Sequence, residues 1–369
     1  MKLFIGCAFF CYWLHGTSYD AKRLSLEEKI GQLLICHFHG EAVNEEARRL
    51  VQEIKVGGII YYTWANLLDS KEQVYTLSRG LQQLAKENSP SIPLFLAVDQ
   101  EGGRVSRLQN GFTLFLSNKI RGDIGNEELE EKLCFSIGEE LQTVGISINF
   151  APVVDVNNHS SNSIIGDRSY GNDPQRVADL AAASLRGYQK AHILATLKHF
   201  PGYGDVCCDS HLDLPVVDKT LDELKKEDLL PFEKLKNQTD AIIIAHILLP
   251  QLDCENPATL SKKILSYLRD EMRFQGLIIA DSLIMQGVLK SCHTPEEAAI
   301  QALLAGCDML ILGGRLLNEE AKMELTVEDN ERVFHAIVDA VRKGRIGEGR
   351  IDSAVQRILE MKQKYIRSI

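Results

Sequence analysis

The run KHFPGYGDVCCDSHLDLP, residues 198–215, gathers Lys198, His199, His211 and the carboxylates of Asp205, Asp209 and Asp213 around Pro201, Gly202 and Gly204. Those three residues break any helix, so the segment is an irregular loop carrying more ionisable groups than a turn needs. Its triplet Asp209-Ser210-His211 suits proton transfer. An Asp two residues before a His can hydrogen-bond one ring nitrogen, fix the tautomer and raise the basicity of the ring. The other nitrogen is then left to give or take a proton. Standing alone, the same triplet reads as two polar residues exposed on a loop.

Other ionisable residues stand where apolar runs stop. Asp281 follows GLIIA, where a carboxylate is held rigidly as a nucleophile or base, or in a structural ion pair. Lys198 and His199 end ILATLKHF and read as ligand contacts or as a core ion pair. Arg168, in IGDRSYG, offers a planar fork to hydroxyls or carboxylates, or braces its loop. Asp99 ends PLFLAVDQ and leads into EGGRVSR, whose paired glycines alone mark only a turn. His246, after AIIIA, reads as a hydrogen-bonded structural residue rather than a catalyst.

The elements that must position these groups follow from hydropathy. Eight apolar runs recur from about residue 24: IGQLLICHF, GGIIYY, PLFLAVDQ, ISINFAPVVDV, ILATLKHF, AIIIAHILLP, GLIIADS and DMLILGG. They are continuous rather than alternating, as strands covered on both faces are. Between them lie helical patterns such as SKEQVYTLSRGLQQLAKE, NEELEEKLCFSIGEELQTVG, DPQRVADLAAASLRGYQKA and TPEEAAIQALLAG, several opening on Ser, Thr, Asn or Asp and several closing at Gly. Two amphipathic helices end the sequence. The alternation predicts an α/β fold, a single (β/α)8 TIM-like barrel over residues 24–369 with a long mobile loop after the fifth strand. A doubly wound sheet is the competing architecture. In a barrel the active site lies at the C-terminal strand ends, where Asp99, Lys198, His199, His246 and Asp281 fall, so all are expected on one face.

The chain has 369 residues, 45% hydrophobic and 25% charged, with a net charge of −10. That length supports a large core, and the acidic balance excludes general nucleic-acid or anionic-membrane binding. No apolar run is long enough to span a bilayer. Residues 1–18 have the layout of a secretory signal peptide: Lys2, an apolar stretch from Leu3 to Leu14, then Gly16 and Ser18. This predicts export to the periplasm or outside the cell, with a cytoplasmic protein as the alternative. Nine cysteines show no zinc-ribbon or redox spacing. Cys36 and Cys307 read as core residues, and the adjacent Cys207 and Cys208 make a poor chelating pair.

Four segments together (LAVDQEGGRVSRL, then APVVDV with IGDRSYG, KHFPGYGDVCCDSHLDLP, and GLIIADSLIMQGV) resemble glycoside hydrolase family 3 in its NagZ-type β-N-acetylglucosaminidase branch. The likeness runs in order from about Leu24 to the C-terminus. It implies a retaining mechanism in which Asp281 is the nucleophile and His211 the acid/base, with Asp209 as its partner. Asp99, Arg107, Arg168, Lys198 and His199 would hold the terminal sugar. The implied substrate is a carbohydrate, N-acetylglucosamine at the end of a peptidoglycan-derived muropeptide, handled by a monomer with neither metal nor organic cofactor. Many β-glucosidases of the family draw a Glu acid/base from a second domain; here the loop is expected to supply the acid/base itself. Two positions depart from the pattern: Tyr203 stands where the family commonly has His, and Ser282 where a second Asp is frequent. Gly202 and Gly204 are expected to let the loop swing. Competing readings are another β-glycosidase, a phosphorolytic β-N-acetylglucosaminidase, a silent sugar-binding barrel and a metal-dependent barrel hydrolase. The last needs clustered His and carboxylate ligands, and no such cluster is expected.

Overall fold

A computed structural model describes residues 20–158, 162, 164–206, 209–318 and 321–366. The expected leader, 1–18, and the Cys207–Cys208 pair lie outside the described residues.

Eight short buried strands form the centre: β1 (Leu34–Cys36), β2 (Gly58–Ile60), β3 (Phe95–Val98), β4 (Ile148–Asn149), β5 (Leu194–Ala195 continuing as Leu197–Phe200), β6 (Ala241–Ile244), β7 (Leu277–Ala280) and β8 (Met309–Leu312). Every neighbouring pair is parallel, and β8 pairs back onto β1 through Leu34↔Leu310 and Cys36↔Leu312. The first half of β5 pairs with β4 and the second half with β6, so the sheet returns on itself through one strand. A bridge between Val153 and Lys198 reinforces that seam. Closure excludes the doubly wound sheet, which has two free edges.

Each strand is buried along its whole length, which is why the sequence shows runs instead of alternation. The long helices wrap the barrel with one apolar face. In Lys71–Glu87 the buried Val74, Leu77, Leu81 and Leu84 recur at helical spacing, and the Ser70 side chain caps the first turn. Asn126, Asp173, Thr294 and Thr326 cap the helices Glu127–Thr143, Pro174–Lys190, Pro295–Ala305 and Val327–Arg342 in the same way.

One run reads differently from expectation. The start of IGQLLICHF is the end of a helix, Leu26–Gln32, opened by a capping box between Ser25 and Glu28, and only Leu34–Cys36 is strand. Cys36 and Cys307 are buried and free, as core cysteines should be. No described helix is long and apolar enough to cross a membrane.

Candidate active site

The C-terminal strand ends open on a cavity of about 380 Å³, within the usual size range of small-molecule sites. Asp99, Arg107, Arg168, Lys198, His199, Asp209, His211 and Asp281 all line it, so the two ends of the sequence pattern meet on one face. His246 does not. It is buried beneath, with Nε2 donating to the Ser282 carbonyl at 2.9 Å and Nδ1 2.8 Å from Thr259 Oγ1. That is the structural role its apolar surroundings suggested.

The floor is a chain of compensated charges. Lys198 Nζ lies 2.8 Å from Asp99 Oδ1 and 2.7 Å from Glu101 Oε1. Arg168 grips Glu101 with both arms, Nε to Oε2 and Nη2 to Oε1, each at 2.9 Å. Burial would push the Glu101 carboxyl up, but Arg168 and Lys198 outweigh it and hold it far below the ordinary carboxylate range. Burial likewise works against the Lys198 ammonium, yet Asp99 and Glu101 keep it raised. His199 is fixed by Asp155, a carboxylate with 0% exposure, whose Oδ2 is 2.6 Å from Nδ1. Asp155 Oδ1 accepts from the backbone amides of His199 (3.1 Å) and Tyr203 (2.8 Å). Because a carboxylate only accepts, Nδ1 of His199 carries the hydrogen, and Nε2 faces Arg168 Nη2 at 3.4 Å.

Asp281 leaves β7 with its backbone amide donating to Ile244 O at 3.2 Å, while its Oδ1 accepts from Ser282 N at 2.7 Å. Burial raises its carboxyl, but His199, His246, the Ser282 amide and Lys198 more than offset this, so it is held below its usual value and stays ionised. Ser282 also lines the cavity, and its hydroxyl donates to the Gly313 carbonyl.

The loop supplies the remaining pair. Asp209 Oδ1 accepts from both the amide (2.9 Å) and Nδ1 (2.7 Å) of His211, which leaves Nε2 without a hydrogen-bond partner among the described residues. Burial lowers the His211 ring, but the bond to Asp209 and the charges of Asp209 and Asp281 raise it above its ordinary value. The His211 side chain remains 38% exposed, unlike anything on the floor. Such an imidazole can deliver a proton to a group in the cavity and take one back from water, opposite an ionised carboxylate able to attack carbon.

The loop glycines also permit close packing. A Cβ on Gly204 would lie 1.7 Å from the Val156 carbonyl oxygen, and one on Gly202, at φ +127°, would lie 2.6 Å from Asp228 Cβ. They allow the loop to pack onto the barrel. Tyr203 completes the attachment: its ring is buried near His199, and its hydroxyl accepts from the amide of Ser210 at 2.7 Å. Where the family pattern has His, this chain thus has a tether that reaches the catalytic triplet.

Sequence reasoning missed Glu101 and Asp155, the two carboxylates that hold the cationic groups in place. Both stand inside segments already singled out, EGGRV and APVVDV. A charged residue within an apolar run was the available signal. It also missed His37 and His39, an H-x-H directly after β1, which with Glu324 forms the clustered His and carboxylate set that was not expected. A second cluster, Asp205, Glu227 and Asp228, is already bridged by Lys219 Nζ, which bonds all three.

Residues 25–361 match the glycosyl hydrolase family 3 N-terminal domain. A beta-hexosaminidase of Pseudomonas aeruginosa is 37% identical over 305 residues, covering 81% of this chain and 86% of that protein. Beta-hexosaminidase A of Pseudoalteromonas piscicida is 32% identical over 341 residues, 88% of this chain but 56% of the relative. A solved family 3 β-N-acetylglucosaminidase from Paenibacillus sp. superposes with a TM-score of 0.87 at 39% identity, over 93% of this chain and 63% of that one. The chain therefore spans less than two thirds of the length of these last two relatives.

Proposed function

This chain belongs to glycosyl hydrolase family 3, and on that premise we propose that it is a retaining exo-β-N-acetylglucosaminidase. The observation that carries the reading is the pair Asp209–His211, with Nδ1 engaged and Nε2 free, facing the same cavity as the ionised Asp281. Relatives named beta-hexosaminidase over most of their length support the sugar class.

In the first step the Asp281 carboxylate attacks the anomeric carbon while protonated His211 gives its Nε2 proton to the departing glycosidic oxygen. The C–O bond breaks and a glycosyl ester forms on Asp281. In the second, neutral His211 takes a proton from water through Nε2, the water oxygen attacks the anomeric carbon, and Asp281 leaves as carboxylate. Asp209 holds the ring in one tautomer and steadies its charged form. Lys198, His199, Arg168, Asp99 and Arg107 would grip the hydroxyls of the terminal sugar. Glu101 and Asp155 act through them as positioning residues. The natural substrate proposed is a muropeptide bearing N-acetylglucosamine at its non-reducing end, met outside the cytoplasm if residues 1–18 direct export.

The test is hydrolysis of an aryl N-acetyl-β-glucosaminide by wild type and Asp281→Ala, beside the aryl β-glucoside and with or without phosphate. The reading expects turnover of the N-acetyl substrate alone, independent of phosphate and lost in the variant. Preference for the glucoside, or turnover that needs phosphate and yields the sugar phosphate, would replace it with one of its rivals.

A further inference from the structure

Beyond the catalytic floor, the end of β1 carries a second set of convergent ligand atoms. His37 and His39 follow directly on β1, flanking the buried Phe38. Their ring centroids are 5.9 Å apart. Glu324, in the second strand (Ala321–Glu324) of a hairpin that follows β8, brings its Oε1 to 3.0 Å from His39 Nε2. One ligand atom from each of the three residues lies within 4.8 Å of the other two.

The decisive feature is His37. It is 2% exposed, and its Nδ1 has no hydrogen-bond partner among the described residues. The ring also lies within reach of the Leu312 backbone, at the end of β8. A buried ring beside a backbone carbonyl, with one nitrogen left bare, is how metal-bound histidines are oriented. A buried ring nitrogen left without a partner is otherwise destabilising. The carboxylate is oriented too: Glu324 Oε2 lies 3.2 Å from Arg315 Nε, leaving Oε1 for the cluster. In the acidic cluster on the opposite loop Lys219 already occupies the centre; among the described side chains no lysine bridges His37, His39 and Glu324 in that way.

We propose that His37, His39 and Glu324 bind a divalent cation of the zinc class, with the remaining coordination position open to water. Two imidazoles and one carboxylate match zinc in ligand type and number. Hard cations such as calcium and magnesium favour oxygen-only sets, and Cu(I) favours sulfur. Bonds of about 2.0–2.2 Å set tetrahedral ligand atoms about 3.4 Å apart, so the three atoms, now within 4.8 Å of one another, must draw inward on binding.

The place gives the ion a consequence. Trp64 packs against both imidazoles, stacks on Tyr62 at 5.0 Å and lies 3.9 Å from the Arg315 guanidinium. Tyr62, Trp64 and Arg315 all line the cavity. A bound cation would tie the base of the hairpin to β1 and fix this wall, without touching the reacting groups.

The test is titration of the chelator-stripped full chain with Zn²⁺ by calorimetry and with Co²⁺ by visible absorption. The proposal expects one equivalent bound, with a Co²⁺ spectrum that shows no thiolate charge-transfer band. Glu324→Gln and His39→Asn, both partly exposed and nearly isosteric, should weaken Zn²⁺ binding about 100-fold or more. The same variants should abolish the rise in Tm that Zn²⁺ gives the wild type. His211→Ala should leave affinity unchanged. The proposal is overturned if no equivalent binds, if binding survives intact in both cluster variants, or if it disappears with His211→Ala.

Discussion

Lys198 and His199 at the end of β5, and Asp209 and His211 a few residues further on, face one cavity but are held in opposite ways. The barrel-end groups are buried and tied twice over: Lys198 to two carboxylates, His199 to a fully buried Asp155, and Arg168 to Glu101 by two parallel bonds. The loop pair has a single bond between its side chains and a partly exposed ring whose Nε2 is bare among the described residues. Rigid charges suit recognition of a fixed sugar. A group that must change protonation twice per turnover needs solvent contact and one moderate partner, because heavier compensation would lock it in one state.

This contrast is sharpened first by removing the proposed nucleophile. Asp281→Ala should lower kcat by roughly 10⁴-fold or more while the fold survives, and a fluorinated sugar that traps the intermediate should label Asp281 in the wild type. Mass spectrometry locating the label on another carboxylate would move the nucleophile. Breaking the buried floor should instead cost stability. Glu101→Gln strips Arg168 and Lys198 of a shared counter-charge, so urea denaturation should show a loss of about 3–5 kcal/mol, together with a raised KM. No change in unfolding would mean that the floor is solvated.

The loop pair should respond through pH. His211 titrates above its ordinary value because of Asp209, and the acid form is needed for the first step, so the alkaline limb of kcat/KM should reflect that raised value. In Asp209→Asn that charge is gone, burial is opposed by Asp281 without its help, and the limb should shift to lower pH. For stability the sign is the same: the His211–Asp209 interaction is complete below the ordinary histidine value and fades as pH rises through the raised one. The smallest effect belongs to the tether. Tyr203→Phe removes the hydroxyl that accepts from Ser210 and should cost about 0.5–1.5 kcal/mol, read as a lower Tm with little change in KM.

What the sequence made legible is the half built from strand ends. Asp99, Lys198, His199 and Asp281 each interrupt an apolar run, and a closed parallel barrel leaves such residues one place to go. The Asp-Ser-His triplet was readable because its hydrogen bond is local. Glu101 and Asp155 were not, because their work is to compensate charges brought from elsewhere in the chain. The same holds for Glu324, which meets His37 and His39 only when β8 closes against β1. The packing role of the loop glycines was hidden for a related reason: flexibility is a property of the residue, but close approach to Val156 and Asp228 belongs to the packed structure.

The most direct test of the division between a gripping floor and a proton-transferring loop is the leaving-group dependence of His211→Ala. Rates on a series of N-acetyl-β-glucosaminides should fall by about 10²–10⁴-fold for poor leaving groups, which need the proton, and only slightly for activated aryl groups, which do not. Equal slowing across the series would contradict the account, make His211 a binding or structural residue, and require another acid/base.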